Sequence, residues 1–195
     1  MLLINFFKKE LILILEFVLY HVLWLLLAYF IPRENQKFQN KTAQNIQYEK
    51  NKSLRLYWVY LFIIAVQLIL PLTELSHDLY LYFYLKIILL SSLGIFIDSV
   101  LTCFSYFSFS QKIKFIPLWL VLLWVSFSIA MEYVLFFMSH DLSDLFFLGL
   151  LGAFGFPLTY LLADKLKVLR VNNPWSAYFY QGLFWGIFLP LTQLF

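Results

Sequence analysis

Six apolar stretches of about 19 to 25 residues, at 11–31, 57–75, 80–104, 116–138, 145–164 and 176–194, constrain this chain more than any other feature. A backbone immersed in hydrocarbon has no water to pair with, so it must satisfy its own N–H and C=O groups, and a helix of about 20 residues does so across a bilayer. The expected fold is therefore all-α, a polytopic transmembrane helical bundle of about six spans in a single domain over 1–195. A hydrophobic share of 63% agrees, standing well above the roughly 45–50% of soluble domains. The first stretch exceeds a signal-peptide core and lacks a small-residue cleavage site, so it is expected to stay as a span.

Residues 33–56 are the one long polar stretch, rich in Asn, Gln and Lys. Such a composition cannot build a core, and an inserted loop is expected there. The segments after the first, third and fifth spans hold the basic residues, among them Arg33, Lys50, Lys112, Lys114, Lys165 and Arg170; the opposite loops hold acids and histidines. The positive-inside rule makes those three segments cytoplasmic and both termini periplasmic, with only Lys8 and Lys9 opposed. The expected address is a bacterial inner (cytoplasmic) membrane.

Several classes of function drop out. No basic patch interleaved with exposed aromatics suggests nucleic acid. The single Cys103 excludes an internal disulfide and a Cys-based zinc site, and is expected to pack. Three scattered histidines, with no His-Glu-x-x-His, no Gly-x-Ser-x-Gly and no P-loop, leave no recognisable catalytic motif, metal site or cofactor. The 22% aromatic content suits ring packing and interfacial belts.

What remains is the set of polar residues inside spans. Asp98 lies within the third, where a charge costs roughly 2.5–3.5 kcal/mol on insertion scales. Counting helix rise from the middle of each span puts Asp98 and Tyr160 roughly 9 Å to the cytoplasmic side of the midplane, with Gln181 in the same half, Pro157 nearer the middle and Trp119 nearer the interface. With Gly94 one turn before Asp98, these six residues form the candidate buried polar site. Asp98 there is either an acid, oriented by Tyr160 or an indole N–H, that binds a cation or exchanges a proton, or a hydrogen-bonded lock between helices. Glu16 and Glu132 fall roughly 8 Å to the outer side, with His21 between the layers, as a secondary polar layer. At about 15 Å of separation along the normal, Asp98 and Glu132 are not a catalytic pair. Lys86, one turn inside the third span, is expected to snorkel outward.

Several of these residues recur in a pattern. Gly94-x-x-x-Asp98, Pro117-Leu118-Trp119 with Trp124 and Phe127, Gly152-Ala-Phe-Gly155-Phe-Pro157-Leu-Thr-Tyr160, and Trp185 with Pro190 resemble an uncharacterised family of small bacterial multi-pass membrane proteins carrying a domain-of-unknown-function label. Tyr20-His21-Val-Leu-Trp24 resembles its first span, where an amide residue commonly stands in place of His21. The chain departs from the family at Phe156, within a Gly-Gly-Pro pattern, and at Ala163 and Lys167, where glycines are common. The resemblance implies an architecture and, because such proteins are often encoded near enzymes that modify membrane acyl chains, a lipid-related role.

The function expected on these grounds is non-catalytic: binding or transport of a small or lipid-like molecule, or a subunit of a membrane assembly, with the bilayer and another membrane protein as partners. The alternative is an intramembrane enzyme acting on a lipid from the cytoplasmic leaflet, with Asp98 as acid or base and Tyr160 or Trp119 as positioning donor.

Overall fold

The computed structural model describes residues 11–26 apart from 13 and 17, 57–70, 77–109, 116–136 and 141–193. The 33–56 loop, His140 and the expected final turns of the first two spans lie outside the described residues. The chain is all-α, with helices α1 (Ile14–Leu26), α2 (Tyr57–Ile69), α3 (His77–Cys103), α4 (Leu118–Phe136), α5 (Leu142–Leu150), α6 (Phe156–Lys165) and α7 (Pro174–Leu191). A π-helical turn, Leu151–Gly155, joins α5 to α6 without a break. Among the described residues three helices are long and apolar enough to cross a membrane: Leu79–Cys103, Leu118–Leu135 and Leu142–Lys165. Those residues of α1 and α2 make shorter apolar helices, and α7, interrupted by Gln181 and its tyrosines, is not one of the three.

The chain divides into two compact units. The first comprises Met1–Ser91 and Leu118–Val134, the second Ser92–Pro117 and Leu135–Phe195. In the first, Leu23, Tyr60, Phe83, Leu90, Ile129 and Tyr133 are buried from four helices. In the second, Phe107, Leu148, Ala177, Trp185 and Leu189 form the interior, with the Trp185 ring stacked on Phe156 at 4.4 Å.

The second unit is held by a seam of backbone contact between α7 and the α5–α6 rod. Pro157 has no N–H to give the Ala153 carbonyl four residues back, and its ring crowds that oxygen. A wider π turn relieves the crowding. The Ala153 carbonyl then faces α7 at Gly182, where an added Cβ would stand 2.6 Å from its oxygen. Pro190 repeats the arrangement from the other side: the Gly186 carbonyl, four residues before it, lies 3.3 Å from where a Cβ of Gly149 would be. Between them, Gly152 is pressed onto the Trp185 carbonyl, with no room for a side chain. Gly149 and Gly152 therefore let α7 come close, whereas Gly155 meets only the Leu151 side chain.

Two helix ends in this unit terminate alike. After α3, Ser105 has φ 62°, its N–H bonds Thr102 and the Tyr106 N–H bonds Leu101; after α6, Lys167 has φ 59°, its N–H bonds Asp164 and the Val168 N–H bonds Ala163. Both are Schellman caps with a non-glycine residue in the left-handed position. Glycine adopts this left-handed conformation without strain, and Ser105 and Lys167 adopt it without being glycine. Beyond the caps, β1 (Phe107–Ser108) pairs antiparallel with β2 (Arg170–Val171), Phe107 opposite Val171. The Asn172 amide closes the join by donating to the Ser105 carbonyl at 2.7 Å. Cys103, expected to pack, is exposed at the end of α3.

Candidate functional site

Asp98 lies on the part of α3 that belongs to the second unit, and its side chain is fully buried. Tyr160, from α6, donates its hydroxyl to Asp98 Oδ2 at 2.5 Å, and Gln181, from α7, donates Nε2 to Oδ1 at 3.0 Å. Each carboxyl oxygen thus accepts from a neutral donor on a different helix. Gln181 is also fully buried, and having committed its nitrogen to Asp98 it leaves Oε1 without a hydrogen-bond partner. An unsatisfied buried acceptor costs about 1–3 kcal/mol, which a ligand or water bearing a donor would recover.

Aromatic rings fix the donors. The Tyr160 ring lies flat on Phe107, 4.7 Å between centroids and 5° between planes. Phe107 is itself pinned by the β1–β2 pair, so the short strand acts on the site through one ring. On α7, Trp185 stands one turn beyond Gln181 and stacks on Phe156. Gly94 is buried one turn before Asp98 on α3, and Pro157 lies against Gly182, next to Gln181. The structure therefore brings Asp98, Tyr160 and Gln181 into direct contact, with Gly94 and Pro157 on the adjoining turns. Trp119 is half-buried near the start of α4, in the other compact unit.

The residues of the expected secondary layer lie in the first unit, where Glu132 and Glu16 have different neighbours. Glu132 is buried on α4 and pairs with Lys86 of α3 at 3.6 Å. Lys86 is buried too, with its ammonium 4.6 Å from the Tyr82 ring centroid, rather than reaching outward as snorkelling predicted. A carboxylate at matching depth supplies the countercharge that an interface would otherwise provide. Glu16 is fully buried beside Gln67 of α2, and Ser126 of α4 donates to Gln67 Oε1 at 2.6 Å. His21 is exposed on α1, edge-on to Tyr20 at 5.2 Å. Gln67 and Ser126 were not singled out from the sequence; both fall near the middle of their spans, and that common depth was the available signal.

Among the described residues no group of three or more His, Cys, Asp or Glu side chains is placed to hold a metal ion. The fold and the site together define a helical membrane protein with a carboxylate buried among neutral donors. The family model of DUF2878, a protein of unknown function, matches residues 46–191, and the chain belongs to that family. The match begins inside the polar 33–56 stretch and leaves Tyr20, His21 and Trp24 outside it. Comparison with curated proteins and with solved structures gives no match.

Proposed function

We propose that this is a multi-pass inner-membrane protein of six spans, with both termini on the periplasmic side, whose Asp98–Tyr160–Gln181 cluster binds a small polar or lipid-like molecule reached from the cytoplasmic side. One observation carries the reading. A fully buried carboxylate is held by donors from two other helices, beside a buried Gln181 oxygen that has no donor of its own. If only packing were served, the open acceptor would add cost without benefit. A ligand carrying a hydrogen-bond donor completes it.

Native mass spectrometry of the purified protein tests this directly. The native chain is expected to carry a bound small molecule or lipid that Asp98→Asn and Gln181→Leu lose. Identical adduct spectra for all three proteins would refute the reading. For the topology, reporter fusions at Phe195 and within residues 35–50 are expected to report the periplasm and the cytoplasm respectively.

A second reading has its own support in the 2.5 Å contact between Tyr160 and Asp98, a hydroxyl and a carboxyl group close enough to pass a proton between them. On that reading the cluster is the acid–base pair of an enzyme working on lipid. Turnover of a native lipid extract by the wild type, abolished in Tyr160→Phe, would favour it over simple binding.

A further inference from the structure

The first unit holds a buried titratable group that the proposed function does not use. Glu16 is fully buried, and among the described residues neither of its oxygens has a hydrogen-bond partner. Gln67, also fully buried, lies beside that carboxyl, and its Nε2 is unsatisfied as well. Ser126 completes the group. Two other buried serines on these helices, Ser91 and Ser128, donate to the carbonyl four residues back, Ile87 and Trp124, at 2.7 Å each. Ser126 instead spends its hydroxyl on Gln67 Oε1 at 2.6 Å.

The chain of donors therefore points one way: Ser126 O–H to Gln67 Oε1, then Gln67 N–H toward Glu16. It suits an ionised Glu16. The reverse order suits a protonated one equally well, because an amide offers an acceptor and a donor on opposite sides of the same plane. We propose that Glu16 is a reversible proton-binding site whose state is relayed by reversal of the Gln67 amide to Ser126. On proton uptake the Glu16 carboxylate becomes a carboxylic acid and donates its O–H to Gln67 Oε1. The amide, turned over, donates Nε2–H to Ser126 Oγ, and the Ser126 hydroxyl moves to the Leu122 carbonyl, the place its neighbours Ser91 and Ser128 already use. Proton release reverses each step, and no other atom changes hands.

On the helices of this unit the titratable side chains include Tyr20 and His21 from α1, Tyr60 from α2, Lys86 from α3, and Glu132 and Tyr133 from α4. Lys86 and Glu132 are paired at 3.6 Å and offset one another. A proton also needs no cavity, unlike any larger cation.

Infrared difference spectroscopy on the full chain in phosphatidylcholine vesicles, with glutamine labelled at the side-chain carbonyl carbon, tests the site. Acidification is expected to raise a carboxylic-acid C=O band that Glu16→Gln removes, and a labelled-amide band that Gln67→Met removes should shift with the same midpoint. Ser126→Ala, a small change that keeps the fold, should retain the acid band and change the size of the amide shift. A Glu16 band that titrates while the Gln67 band stays still would overturn the relay. So would a Gln67 shift that follows sodium concentration at fixed pH, since the occupant would then be an alkali cation. Should Glu16→Gln fail to fold, the Ser126→Ala comparison still decides, because an amide shift identical to wild type is incompatible with the proposed order of bonds.

Discussion

The two units bury carboxylates by different means. In the first, Glu132 is matched by a cation, Lys86, so the pair is neutral but both members depend on each other. In the second, Asp98 receives only dipoles from Tyr160 and Gln181 among its hydrogen bonds given above, in a unit tied together by backbone contact along α7. An ion pair in a dry interior roughly offsets its own desolvation and contributes mainly by being unbreakable on one side. The two means differ in what each carboxyl group depends on, a countercharge for Glu132 and hydrogen-bond donors for Asp98.

The largest expected effect comes from breaking the pair. Lys86→Met strands Glu132, and a loss of about 3–5 kcal/mol is expected in denaturant unfolding, with most of it recovered in Lys86→Met/Glu132→Leu. If the double variant were no better than the single, the pair would not be self-contained and the contrast would fail. Next comes Gly152→Ala, whose methyl lands on the Trp185 carbonyl; overpacking of this kind costs about 1–3 kcal/mol, read as a lower thermal midpoint. Gly155→Ala, where the new carbon meets only the Leu151 side chain at 3.5 Å, is the control and should be close to neutral. Tyr160→Phe removes one hydrogen bond to a charged group, for about 1.5–3 kcal/mol if Asp98 is ionised and nearer 1 if it is not. That measurement sharpens the comparison by reporting the charge of the second unit. The smallest effect runs the other way: Lys167→Gly relieves the left-handed cap and should stabilise by roughly 0.5–1 kcal/mol.

The sequence made depth readable and azimuth obscure. Helix rise fixes how far along a span a residue lies, so Asp98, Tyr160 and Gln181 could be assigned to one layer from counting alone. Which way each points depends on how the helices are rotated and packed, and a mean apolar helix carries little record of that. Trp119 was grouped with Asp98 on depth alone. Lys86 and Glu132 also shared a layer, yet Lys86 was assigned to the interface because long basic side chains usually escape. The π turn needed Pro157 and Gly182 considered together across two helices. The β1–β2 join needed two left-handed residues, Ser105 and Lys167, that no glycine announced.

Those two residues carry a mechanical consequence. Asp98 precedes Ser105 by seven positions and Tyr160 precedes Lys167 by seven, and seven residues make about two turns of helix. The same side of each helix is therefore fastened twice, once by the strands at the end and once by the carboxylate at depth, like two rungs between parallel rails. A single rung lets rails swivel; two roughly 10 Å apart do not. Freeing the lower rung, by drawing Asp98 away from Tyr160, turns a braced frame into a pair of helices hinged at Asn172.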